Sequence, residues 1–123
     1  MKIEKFEDIE SWKAGRELTK IIYKLTRKQT FSKDFGLKDQ IQRASVSITA
    51  NIAEGFDSKS NKAFINFLNY SFRSASEVQS LLYAAMDLEY VNKSEFEFAY
   101  KKCIEVKKLI GGFIRYLNKT KKL

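Results

Sequence analysis

Not one proline interrupts the 123 residues, and glycine occurs only five times. Proline inside a helix removes a backbone hydrogen bond and clashes with the preceding turn, and glycine there costs about 1 kcal/mol relative to alanine. A chain nearly free of both can run in long uninterrupted helices, so the fold class is expected to be all-α. The length supports one hydrophobic core and is too short for two. With 44% hydrophobic and 31% charged residues, the composition is that of a soluble folded domain, not of a disordered chain.

Hydrophobic spacing divides residues 1–123 into four helical segments of one domain, at about 8–28, 37–54, 60–89 and 95–118. In the first, Ala14, Leu18, Ile21, Ile22 and Leu25 share a face, while Lys13, Arg16, Lys20, Lys24 and Arg27 gather on a face turned roughly 130° away. Ser11 is the expected cap before Trp12. Residues 29–36 form a polar break whose Phe31 and Phe35 are expected to cover the bundle end. The second segment repeats Leu37, Ile41, Ala44, Ile48 and Ile52. Its stretch from Ala44 to Ala53 carries no charge, so this helix is expected to be buried on most sides. Gly55 is read as its stop signal.

Ser58 or Ser60 is the expected cap of the third helix, roughly 40 Å long. Phe64, Leu68, Ser71, Ala75, Val78, Leu82 and Ala85 recur along it at four-three spacing, a 3.5-residue period that implies shallow left-handed supercoiling. Phe67, Phe72, Leu81 and Met86 widen this stripe to about half the circumference, more than one seam needs, and the surplus is a candidate contact with another subunit. Ser94 and Glu97 have the spacing of a capping box for the fourth helix. Its seam is Ala99, Cys103, Val106, Ile110, Phe113 and Leu117, and Gly111-Gly112 within it is read as a place of close helix approach. Short connections make an antiparallel, up-down-up-down four-helix bundle the simplest topology. There the first and fourth helices are neighbours.

The formal net charge of +8 is unevenly placed. Residues 12–28 hold six basic side chains against Glu17 alone, and residues 99–123 hold eight, Lys121 and Lys122 among them, against Glu105 alone. Residues 77–97 hold five acids against Lys93. Such asymmetry points to an acidic partner, nucleic acid first. Lys13, Arg16, Lys20, Lys24 and Arg27 are candidate phosphate contacts, although a soluble helix also needs a solvated charged face. Lys107, Lys108, Arg115 and Lys119 lie beside Phe113 and Tyr116 in sequence, a pattern that can join phosphate contact to base stacking. Phe113 already belongs to the seam.

Other classes of function are disfavoured. The first residues alternate basic and acidic side chains with no apolar run behind them, unlike a secretory signal. Uncharged stretches reach only ten residues, far below the roughly 20 apolar residues of a membrane span. A cytoplasmic location is expected. A single cysteine forbids an internal disulfide, and the absence of histidine removes the common zinc and haem ligand sets and the commonest general base. No metal or cofactor is expected. Gln40, Arg43, Asn51 and Glu54 are polar residues at helical spacing, read as structural groups rather than catalytic ones.

The sequence resembles a known family of small four-helix-bundle proteins that includes those encoded in intervening sequences of bacterial 23S rRNA genes. The resemblance rests on Phe6-Glu7-Asp8-Ile9 followed by Trp12-Lys13-Ala14, on Tyr23-Lys24-Leu25-Thr26, and on Gly36-Leu37. Above all it rests on Gln40 to Ile48 leading into Asn51-Ile52-Ala53-Glu54-Gly55. It departs from the family pattern at Phe31-Ser32, where Phe-Pro is usual, and at Gln42, where a basic residue is common. The resemblance implies a non-enzymatic bundle that assembles as a ring, typically a homopentamer. A relative, the accessory variability determinant of diversity-generating retroelements, binds nucleic acid and a reverse transcriptase. The expected function is therefore an oligomeric binding protein that contacts RNA or DNA through a basic surface. The alternative is an adaptor for an acidic protein partner, such as a nucleic-acid enzyme.

Overall fold

The computed structural model describes residues 2–120. Lys121 and Lys122, counted above in the carboxy-terminal charge run, lie outside them. A 3-10 turn at Phe6–Asp8 precedes five helices: α1 (Glu10–Thr26), α2 (Gln29–Lys33), α3 (Phe35–Phe56), α4 (Asn61–Asp87) and α5 (Lys93–Lys119). No strand occurs among the described residues. The main contacts run in a cycle: α1 packs on α3, α3 on α4, α4 on α5, and α5 on α1.

The predicted seams supply the core. All seven seam residues of α4, from Phe64 to Ala85, are buried, as are the six of α5 from Ala99 to Leu117. Ile41, Ala44, Ile48 and Ile52 of α3 meet Ala14, Leu18, Ile22 and Leu25 of α1 in the same cluster. Small residues set the approach of α1 to α3. A Cβ at Gly15 would stand 3.0 Å from Cγ2 of Ile48, and the Thr19 hydroxyl donates to the Ser45 carbonyl across the gap at 3.2 Å.

Helix ends depart from expectation in instructive ways. Ser11 does not cap α1: the helix starts one residue earlier, and the Ser11 hydroxyl is buried with no hydrogen-bond partner among the described residues. The turn before it is held instead by the Asp8 carboxylate, which accepts from the amides of Glu4 (3.0 Å) and Lys5 (3.3 Å). Ser60 does cap α4, accepting from the Ala63 amide. The capping box of α5 is Asn92 with Glu95, two residues before the expected pair. α4 ends in a Schellman turn in which the Tyr90 amide donates to the Ala85 carbonyl at 2.8 Å, and Glu89 takes the left-handed conformation at φ 62°, a place glycine usually fills.

The expected polar break is a five-residue helix. Of its two aromatics only Phe31 covers the bundle end, fully buried and stacked on Tyr90 at 5.1 Å, while Phe35 is 67% exposed. Two further readings are corrected. Gly55 is no stop signal but a buried residue inside α3, and no other helix lies within 4 Å of a Cβ built on Gly111 or Gly112. The uncharged stretch of α3 is buried or half-buried on all but one side, where Val46 and Ala50 are exposed.

Candidate nucleic-acid interface

The buried seam of α1 dictates where its cations go. With Leu18 and Ile22 turned inward, helical geometry sends Lys13, Arg16, Lys20, Lys24 and Arg27 to the opposite side, and all five are exposed. Two of them are engaged locally. Lys13 pairs with Glu10 at 3.2 Å, and the Arg16 guanidinium lies 5.8 Å from the Trp12 ring centroid, within the range of a cation–π contact. Lys20, Lys24 and Arg27 have no carboxylate within salt-bridge distance among the described residues.

On α5 the candidate residues separate. Lys107 is half-buried toward α4, where its ammonium donates to Oε1 of Gln79 at 2.9 Å and stands 4.8 Å from the Phe72 ring centroid. Lys108, Arg115 and Lys119 are exposed. Lys107, Lys108 and Arg115 come together around an open groove of about 580 Å³ between α4 and α5, and no carboxylate lines it. The aromatics once paired with these cations in sequence are withdrawn from the surface: Phe113 is buried, and Tyr116 is half-buried and stacked on it at 6.0 Å.

The two basic stripes do not merge directly. A seam of ion pairs joins α5 to α1 and to the turn after it: Lys102 bonds Glu17 of α1 at 2.6 Å and Glu105 of its own helix at 3.1 Å, and Lys28, in the turn between α1 and α2, bonds both carboxylate oxygens of Glu95, at 2.6 and 2.8 Å. The Lys28 hydrogen bond holds the Glu95 carboxyl below its ordinary range, with help from the Asn92 amide. The Lys102 hydrogen bond does the same for Glu17, and Glu17 in turn raises Lys102. Glu95 and Glu17 therefore stay ionised but matched, and much of their repulsion toward an incoming anion is cancelled locally.

The motif residues of α3 do not converge. Gln40, Arg43 and Glu54 are exposed and spread over about 20 Å of helix. Gln40 reaches Glu77 only at 3.5 Å, and the Asn51 amide donates to the Ser47 carbonyl and hydroxyl at 2.8 and 3.0 Å. Ser47 shares a hydrogen bond with Ser74, so Asn51 belongs to a polar clasp between α3 and α4. Burial pushes the Cys103 thiol up to about 12, which leaves it protonated at neutral pH. Among the described residues no group of three or more His, Cys, Asp or Glu is placed to hold a metal ion, and no helix is long and apolar enough to cross a membrane.

One surface residue escaped the sequence reading. Phe98 of α5 is 67% exposed and lines an open groove of about 580 Å³ between α1 and α5, together with Lys20, Lys24 and Lys28. Its register gives it away, because it falls one residue before Ala99 and so off the α5 seam.

No curated protein matches the chain. A solved structure does: a protein of unknown function from the S23 ribosomal protein family of Bacteroides thetaiotaomicron is 29% identical, with a TM-score of 0.77 over 85% of this chain and 97% of that one. The description of 23S rRNA-intervening sequence proteins fits residues 7–112, nearly the whole helical region. The Gln40 to Gly55 segment on which the resemblance chiefly rests lies inside that match, and the chain belongs to the 23S rRNA-intervening sequence protein family.

Proposed function

We propose that this is a non-enzymatic, cytoplasmic oligomer that binds nucleic acid through the basic surface of α1 and α5, on an antiparallel up-down-up-down four-helix bundle. The observation that carries the reading is the exposed stripe of Lys20, Lys24 and Arg27, three cations on one helix face with no carboxylate within salt-bridge distance among the described residues. Each such cation placed on a phosphate releases condensed counterions and adds affinity that falls as salt rises. Lys108, Arg115 and Lys119 extend the surface beyond the ion-pair seam. None of these side chains belongs to a recognisable base-reading motif, so contacts to the phosphate backbone dominate.

Contacts across helices support the antiparallel topology. Thr19 meets Ser45 whereas Thr26 meets Gln42, so residue numbers on α1 and α3 run in opposite senses. Family likeness supports a homopentamer, and the uncharged outer face of α3 around Val46 and Ala50 is suited to face another copy.

Replacing Lys20, Lys24 and Arg27 together by glutamine is expected to weaken binding to short RNA or DNA strands strongly at low salt, with helical content by circular dichroism unchanged. The slope of log affinity against log salt should become shallower by about 2 to 3, one unit or slightly less per lost phosphate contact. Unchanged affinity and slope would remove α1 from the interface. A wild-type protein that binds no nucleic acid even in dilute salt would overturn the reading and leave the acidic-protein adaptor.

A further inference from the structure

We infer that the groove between α1 and α5 takes the unpaired bases of a single-stranded nucleic acid, with Phe98 as the stacking platform and Lys20 and Lys24 as phosphate contacts; this rests on the function proposed above. Three observations meet in this groove. Phe98 offers a naked ring: it is 67% exposed and stacks on no other aromatic among the described residues. The other aromatics of α5 are not like it, for Phe96 stacks on Tyr100 and Phe113 on Tyr116. Ile21, half-buried, and Leu25, buried, add apolar lining to the groove.

The charges around it are arranged for an anion. Lys20 and Lys24, one turn apart on α1, are exposed and form no salt bridge among the described residues. Glu95 is the one acid lining the groove, and Lys28 holds both of its oxygens. An apolar slot with an exposed aromatic on one wall and cations on the other matches a strand whose bases are free to turn inward while its phosphates face the lysines. A duplex cannot use this feature, because its base faces are stacked on each other and only its backbone meets the protein. The Phe98 ring therefore converts a general phosphate surface into one that prefers single strands. RNA and DNA share this chemistry.

The test is fluorescence anisotropy of labelled single strands and the matching duplexes, RNA and DNA in parallel, with wild type, Phe98→Ala and Phe98→Trp. Phe98→Ala is expected to weaken single-strand binding roughly tenfold, the effect of losing one base–aromatic stack. Duplex binding should be unchanged, and Phe98→Trp should retain single-strand affinity. Unchanged single-strand affinity in Phe98→Ala, with the Lys20, Lys24 and Arg27 triple variant still impaired, would overturn this inference and spare the proposed function. Equal losses on duplex and single strand would also overturn it, as would a change in solution mass, which would place Phe98 between subunits. Absence of all nucleic-acid binding by wild type would overturn both.

Discussion

Phe31→Ala is expected to cost about 3 to 5 kcal/mol of folding stability, the usual range for emptying a fully buried aromatic site. Phe31 is 0% exposed and is among the largest fully buried side chains. It comes from a helix of only five residues, too short to hold itself together, so α2 exists because this ring is inserted. The loss would spread through a short chain of contacts. The ring stacks on Tyr90, the Tyr90 hydroxyl donates to Oδ2 of Asp34 at 2.9 Å, and Oδ1 of Asp34 accepts from the Leu37 amide at the start of α3. Urea denaturation of Phe31→Ala should show the shifted midpoint, and thermal unfolding should start roughly 10 °C lower or more. A loss below about 1 kcal/mol would mean that the bundle end closes without Phe31.

The second large effect has a sign that helix propensity alone gets wrong. Glycine to alanine inside a helix normally gains about 1 kcal/mol, yet Gly55→Ala is expected to lose about 1 to 2 kcal/mol and Gly55→Val more than about 3. A Cβ at Gly55 would stand 2.7 Å from Cδ1 of Phe64 and 2.9 Å from Cβ of Phe67. Phe64 cannot swing aside, being buried between Phe56 and Phe113 with ring centroids at 6.3 and 5.3 Å. The Phe67 Cβ is fixed to the α4 backbone, so relief requires α3 and α4 to separate. Gly111→Ala supplies the control. There a Cβ meets only the end of the flexible Arg115 side chain, at 3.6 Å, and the expected change is a gain of about 1 kcal/mol. Chemical denaturation of the two alanine variants should move in opposite directions, and movement of both in the stabilising direction would refute the close approach at Gly55.

These two sites mark where the sequence was readable and where it was not. Periodicity placed every seam residue of α4 and α5 in the core and missed only Phe96 at the start of α5, because a four-three repeat leaves only one face that can be buried. It said little about helix ends. Asn92 with Glu95 and Ser94 with Glu97 are overlapping capping patterns, and Glu95 is favoured in the structure by its second partner, Lys28 in the turn between α1 and α2. The left-handed Glu89 carries no glycine or asparagine to announce it. Gly55 and the Gly111-Gly112 pair were misread in opposite directions, since a missing side chain looks alike whether a neighbour occupies its place or not. For the candidate surface, the α1 stripe was legible from spacing. The half-burial of Lys107 was not, because it depends on Gln79 and Phe72 of α4.

The lone thiol at the centre of α5 gives the protein a built-in clock. Cys103 is 0% exposed and protonated at neutral pH, so it can lose its proton to water and meet a thiol reagent only when the bundle opens around it. Its neighbours along the seam are Ala99 and Val106, both also at 0% exposure, and all three lie two turns or more from the carboxy-terminal end of α5. Alkylation at this one atom therefore counts global openings rather than surface motions. A bound strand or an added subunit that slows those openings would register in the same rate, with no substitution needed.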